Sequence, residues 1–284
     1  MASRYVDIHP HVISTDQERH PHSPLFGKQS DWSKERPTQV ENLIEFMDEA
    51  GVERAAIVQS STCYGYHNSY VCDAVQQYPG RFTAVGSVDL MQPDTPQTIR
   101  GWTERGLTGL RLFTGGSTKE FDTSELDDPR SFAAWETAGE LGLPICIQTG
   151  PVGLVHVAGL AKRFPEVKII LGHLARPVID DGAPYKKAVS LFALAPFENV
   201  YLKLTPRIFT TVVQGEAKPE TFFPKLVEMF GASRLAWGSN YPASEGAMKE
   251  NLEAAEERLS VLSEADRRQI FAGTAQSLYP TLKD

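Results

Sequence analysis

The sequence predicts a (β/α)8 barrel, and three observations carry that prediction. Eight short strand-like runs are each followed by a stretch of helical spacing. The runs are almost continuously apolar rather than alternating, as expected of parallel strands buried on both faces. A chain of 284 residues is of ordinary length for one such barrel. The competing architecture, a doubly wound open sheet, is disfavoured because no glycine-rich dinucleotide fingerprint follows any strand. Residues 1–284 read as a single domain, without internal repeat or low-complexity tract.

Taken in order, the first strand is the apolar run ending in Asp7-Ile8-His9-Pro10-His11. Residues 12–37 follow as a long irregular loop rich in His, Pro, Ser and Gly, a length that in a compact domain usually marks a functional segment such as a lid. Val40, Leu43, Ile44 and Met47 keep helical spacing, closed by Gly51. Strand two spans 55–59, then a polar loop over 60–68 and a helix to about Tyr78. The alternation continues with a strand over 82–88, a helix over 96–105, a strand over 107–113 and a Gly-rich loop over 114–118. Next come helix 130–142, strand 143–147, helix 154–164, strand 167–171 and helix 184–195. Strand 199–204, helix 221–230 and strand 234–237 complete the eight units, and helices over 245–262 and 264–277 end the chain.

Composition narrows the function. With 41% hydrophobic and 23% charged residues the chain is an ordinary globular one, and no apolar run approaches a membrane span. No basic stretch followed by an apolar core opens it, so a secretory signal is not expected. Three cysteines, an odd number without Cys-x-x-Cys spacing, point away from disulfides or thiolate zinc and toward a reducing, cytoplasmic setting. A net charge of −8 disfavours nucleic acid and anionic membranes as partners, leaving small-molecule chemistry.

Catalytic groups of a (β/α)8 barrel gather at the C-terminal ends of its strands. Strand one ends in Asp7, His9 and His11. In an extended strand residues i and i+2 share a face, so both imidazoles aim at one point. Gln59, Ser60 and Ser61 close strand two, Arg111 strand four, Gln148 and Thr149 strand five, and His173 strand six. Lys203, Thr205 and Arg207 follow strand seven, and Ser239 and Asn240 strand eight. His9, His11 and His173 are thus placed to meet across the axis, and three histidines with an open fourth position suit zinc or a similar divalent ion. The planar forks of Arg111 and Arg207 suit a substrate carboxylate.

The strand-one Asp-Ile-His-Pro-His, the strand-six Gly-His-Leu-Ala-Arg-Pro and the strand-eight Trp-Gly-Ser-Asn-Tyr-Pro together resemble the amidohydrolase superfamily, in its amidohydrolase-related branch, over nearly the whole chain. Similar elements, Gln59-Ser60-Ser61, Gly109-Leu110-Arg111 and Lys203-Leu204-Thr205-Pro206-Arg207, bring it nearest the lactonases of that branch that open 2-pyrone-4,6-dicarboxylate. The resemblance implies that His9 and His11 are metal ligands, and that His173 is a third ligand or polarises a carbonyl. It also implies that a related chain or second copy is a possible partner. Two positions depart from the pattern. Gln148 stands where relatives often carry a metal-binding His or Lys, and Asn240 where they carry an aspartate that takes a proton from water. An amide has no useful basicity, so Asn240 orients a water or lends its oxygen.

The expectation is therefore hydrolysis of a small organic acid, a lactone or cyclic ester, by water held at His9, His11 and His173. That water is activated directly or through a divalent metal, with zinc the first candidate. Arg111, Arg207, Gln148, Gln59 and Ser61 would bind substrate, and His173 and Asn240 would serve catalysis. Two rivals stand beside it: a metal-dependent decarboxylase, lyase or oxygenase on the same scaffold, and a degenerate accessory subunit of an active paralogue.

Overall fold

A computed structural model describes residues 4–283. Eight parallel strands follow in sequence order around the sheet: β1 (Val6–Asp7), β2 (Arg54–Val58), β3 (Phe82–Ser87), β4 (Leu107–Phe113), β5 (Ile145–Gln148), β6 (Ile169–Leu171), β7 (Val200–Leu204) and β8 (Leu235–Trp237). Helices cover the outside, which makes the fold the expected (β/α)8, or TIM, barrel. The strands are buried on both faces. Leu110, Ile145, Ile169, Leu202 and Leu235 pack outward into the shell shared with the helices. Val58, Val85, Cys146, Ile170 and Ala236 fill the barrel interior. The interior is plugged from the C-terminal segment by Tyr279, whose ring leaves Gly109 on β4 no room for a side chain: a Cβ there would lie 3.0 Å from Cε1.

The seam between β8 and β1 is closed by other means than a regular ladder. Ile8 N–H donates to the Trp237 carbonyl at 3.3 Å, and His11 N–H to the Tyr241 carbonyl at 2.7 Å. Between them the buried carboxylate of Asp7 accepts from His9 N–H at 2.8 Å and from Ser239 N–H at 2.9 Å. On the opposite edge Val58 N–H donates to the Pro10 carbonyl, so residues 8–11 run on as extended chain past the two-residue strand. Gly238 lets the two segments approach, because a Cβ at this position would meet the Cβ of His9 at 2.7 Å.

Several expected elements are reshaped. The loop over 12–37 is not structureless: it holds a 3-10 turn, Leu25–Gly27, and a short helix, Asp31–Glu35. The polar loop after β2 contains the helix Ser61–Tyr64. The helix expected over 184–195 is two fragments, Lys186–Ala188 and Val189–Phe192. A further helix, Pro206–Thr211, follows β7 directly, with Pro206 at its first turn, where a missing N–H is harmless. The last helix is interrupted by a π-turn over Gln269–Gly273.

The seam generates a direct expectation. Gly238→Ala should lower unfolding free energy by about 1–3 kcal/mol through overpacking against His9. Gly101→Ala, in an open position of the helix Thr95–Glu104, should be neutral or stabilise by up to about 1 kcal/mol. Urea melts of the two variants check the contrast, and equal effects would show that the seam is not tight.

Candidate active site

The seam places the first two histidines. Their rings lie 4.9 Å apart between centroids, and His9 is 5.0 Å from the ring of His173. His11 Nδ1 lies 2.7 Å from the Val58 carbonyl oxygen, which can only accept. The proton of neutral His11 is therefore on Nδ1, and Nε2 carries a lone pair. His173 Nδ1 is engaged with the Thr205 hydroxyl at 2.8 Å, which leaves Nε2 as its free nitrogen. His9 is buried below the other two, and neither of its ring nitrogens has a protein partner.

His173 sits in an unusual turn. His173, Leu174, Ala175 and Arg176 all have φ near +53°, one turn of left-handed helix made without glycine. Such backbone costs roughly 1–2 kcal/mol per residue. The turn delivers His173 and Arg176 to the same cleft, and strain of this kind concentrates at working sites. Asn240, just past β8, also has φ +53°, a conformation that asparagine tolerates better than most side chains.

The cleft at the C-terminal mouth has a volume of about 530 Å³ and is lined by six of the nine expected site residues: His11, Arg111, Gln148, His173, Arg207 and Asn240. Arg176 and Trp32, which were not assigned to the site from sequence, also face it. Trp32 comes from the helix Asp31–Glu35 and stacks on His11 at 5.2 Å with 29° between the planes, so part of the long loop is a roof. Arg111 is fixed from two sides: its guanidinium donates to the Gln59 carbonyl at 3.1 Å and to the Gln148 side-chain oxygen. Gln148 in turn donates to the Gly115 carbonyl at 3.1 Å. Gln148 thus ties Arg111 to the Gly-rich loop after β4.

Three expected residues do not line the cleft. His9 is its floor. The amide nitrogen of Gln59 donates to the carbonyls of Gly65 and His67, and the Ser61 hydroxyl pairs with Ser87 at 2.7 Å, so both hold the loop after β2 instead of meeting substrate. Their signal in sequence was position at a strand end, which does not reveal whether the loop itself claims the side chain.

Charge defines the site. Arg111, Arg176 and Arg207 face the cleft against one carboxylate, Glu245. Lys203, fully buried on β7, adds a fourth basic group beneath, without a salt bridge. Burial, reinforced by Arg111, Lys203 and, for His173, Arg176, holds all three imidazoles neutral: His11 is lowered to about 3, and His9 and His173 fall well below the usual imidazole range. Burial likewise raises Asp7, against the lowering effect of its hydrogen bonds from Ser239 and His9 and of Lys203.

The donor set does not fit a divalent cation. Among the described residues no group of three or more His, Cys, Asp or Glu side chains is disposed to hold a metal ion. The one carboxylate beside the histidines, Asp7, directs an oxygen to the seam, and Lys203 and Arg111 set positive charge against the imidazoles.

Depressed histidines make stability depend on pH in a definite sense. Unfolding exposes each imidazole, which then takes up a proton below about pH 6.5, while the folded form does not. The contribution is complete above that pH and is lost as pH falls toward the folded values. Each group contributes at most about 1.4 kcal/mol per pH unit. Chemical denaturation at pH 7, 6 and 5 should show this steepening loss, and His11→Asn should reduce it; a flat profile would mean that the histidines titrate normally in the fold.

The amidohydrolase family model matches residues 6–281. An L-fucono-1,5-lactonase from Burkholderia ambifaria is 27% identical, over 72% of this chain and 70% of that protein. A gamma-resorcylate decarboxylase from a Polaromonas species is 23% identical, over 89% and 92%. Among solved structures, a protein from Pseudomonas putida described as a 2-pyrone-4,6-dicarboxylic acid hydrolase superposes with a TM-score of 0.80 over 99% of both chains, at 20% identity. That similarity supports the barrel.

Proposed function

Because the chain belongs to the amidohydrolase family, we propose that it is a hydrolase that opens a lactone or cyclic ester of a small carboxylic acid. The observation that carries the reading is the cleft in which Arg111, Arg176 and Arg207 face two neutral histidines, His11 and His173. Arginine forks bind a carboxylate, and neutral imidazoles accept a proton from water. The lactonase among the relatives supports the reaction class.

Members of this family typically depend on a divalent metal, but the side chains here do not compose a ligand set for zinc or another such ion, so no step is routed through one. The water oxygen attacks the carbonyl carbon while its proton passes to His11 Nε2, the nitrogen left with a lone pair by the Val58 hydrogen bond. The ring C–O bond then breaks and the leaving oxygen takes up a proton, completing the hydroxy acid. His11 returns that proton to the leaving oxygen, while His173, its Nδ1 accepting from the Thr205 hydroxyl, polarises the carbonyl through Nε2–H. A substrate carboxylate among the arginines offsets the charge that depresses the imidazoles, so binding itself strengthens the base. Asn240 donates to the Ser244 hydroxyl at 2.9 Å and orients the water without basicity of its own.

The decarboxylase relative supports a second reading, since an aryl carboxylate would seat in the same arginine cleft. A panel of carboxylated lactones, followed by acid release at constant pH, tests the first; 2,6-dihydroxybenzoate, followed by release of carbon dioxide, tests the second. Turnover of the benzoate alone would overturn the lactonase reading. Arg207→Met should raise KM at least tenfold with little change in kcat, and His11→Asn should lower kcat by about 100-fold or more. Activity should survive exhaustive chelation; loss with restoration by zinc would show that the imidazoles act through a metal. Asn240→Asp should raise KM by placing a negative charge opposite the substrate carboxylate, whereas a large gain in kcat would mark the present site as one that has lost its base.

A further inference from the structure

A second cavity of about 120 Å³ opens beside the cleft, and Arg111 and Phe113 line both. Its walls are of another chemistry. Leu25, Val88, Leu90, Met91, Leu112 and Leu126 form an apolar chamber. Two of the large hydrophobic side chains most exposed in the fold, Phe26 at 51% and Tyr66 at 44%, line the same chamber. Phe26 is held there at φ +63°, its ring 6.3 Å from Phe113 and covered by the Lys119 ammonium at 4.4 Å. Exposed aromatic surface lining an apolar hollow marks a place for an apolar ligand group. An independent observation lies on the shared wall. Arg111 is buried, and although both ends of its fork are bonded, its Nε–H has no partner. An unpartnered buried donor between the chambers is a point of attachment for a ligand that spans them.

We propose that the cleft and this side chamber are two halves of one site, and that its substrate is an amphipathic acid carrying a carboxylate at one end and a compact uncharged apolar group, a small ring or branched chain, at the other. The inference rests on the anion-binding cleft proposed above and deepens it. The chamber sets an upper limit on size: an apolar cavity of about 150 Å³ takes up benzene, so one of about 120 Å³ has room for no more than a single small ring or branched chain. The polarity is set by the rim. Asp89, Asp122 and Glu125 line the chamber against Lys119, so a second carboxylate is repelled there while the first is held by the arginines. A substrate with acid groups at both ends, or one hydroxylated throughout, matches only half of the site.

Binding, followed by calorimetry, tests this without knowledge of the substrate. 4-Phenylbutanoate and butanoate share the carboxylate and differ by the ring. The ring should tighten binding by about tenfold or more through apolar burial, and a second carboxylate on the ring should abolish the gain. Leu90→Trp fills the chamber and should remove the advantage while leaving butanoate affinity unchanged, which also shows that the variant is folded. Phe26→Ala, at an exposed position, should reduce the advantage without touching the core. Equal affinities for the two acids, or an advantage that survives Leu90→Trp, would overturn the two-chamber site. If butanoate binds and Arg207→Met weakens it while the ring adds nothing, the arginine cleft stands and only the side chamber fails. If neither acid binds, both fail together.

Discussion

The Asp7 carboxylate at the β1–β8 seam is the constraint on which the rest of the site depends. A barrel has to join its last strand to its first, and β1 is only two residues long. A strand that short cannot close a sheet by ladder hydrogen bonds alone. The buried carboxylate supplies the missing acceptor for two backbone donors, His9 N–H and Ser239 N–H, one from each side of the seam. Those donors belong to the segments that carry His11 and Asn240. Closing the barrel and setting the two adjoining walls of the cleft are therefore one act, and Gly238 is what brings them close enough.

The chemistry follows from what surrounds that seam. Burial and three basic groups, Arg111, Arg176 and Lys203, leave the imidazoles uncharged, and an uncharged imidazole with its Nδ1–H committed to a carbonyl keeps its lone pair on Nε2. The same cations would hold substrate. On the proposed reading an arriving anion would complete the cleft electrostatically: free, the histidines are weak bases among positive charges; with a carboxylate bound, the field that weakens them would be partly cancelled. The left-handed turn at residues 173–176 belongs to this arrangement, since it sends His173 and Arg176 to one cleft at a conformational cost that packing must offset.

Periodicity made the barrel legible because each strand is a compact apolar run and each main helix carries a clear apolar face. Positions at strand ends made His11, Arg111, His173, Arg207 and Asn240 legible for the same reason: in a parallel barrel, chain position maps to the mouth. What sequence could not show was competition for a side chain. Gln59 and Ser61 look as available as Arg111 at the ends of their strands, yet the loop after β2 claims both. Arg176 faced the cleft only through four consecutive left-handed residues, a backbone state that no propensity favours without glycine. Trp32 needed the knowledge that an irregular loop contains a helix and returns over His11, a contact between residues far apart in three dimensions until the chain folds. The helix expected over 184–195 failed for a related reason: its apolar residues suit helical spacing, but the chain there breaks into two short pieces.

Asn240 is the position where local conformation and electrostatics agree. At φ +53° an asparagine is among the few non-glycine residues held at modest cost. A carboxylate there would bring a second negative charge into a cleft that already contains Glu245, and would compete with the substrate for Arg111, Arg176 and Arg207. The amide keeps the cleft cationic and, on the proposed mechanism, leaves proton transfer to an imidazole whose tautomer is fixed by Val58. On the proposed mechanism, asparagine here changes which group serves as base without dismantling the site around it: the proton acceptor lies on β1 rather than on the adjoining β8, and affinity for an anion is what the amide preserves.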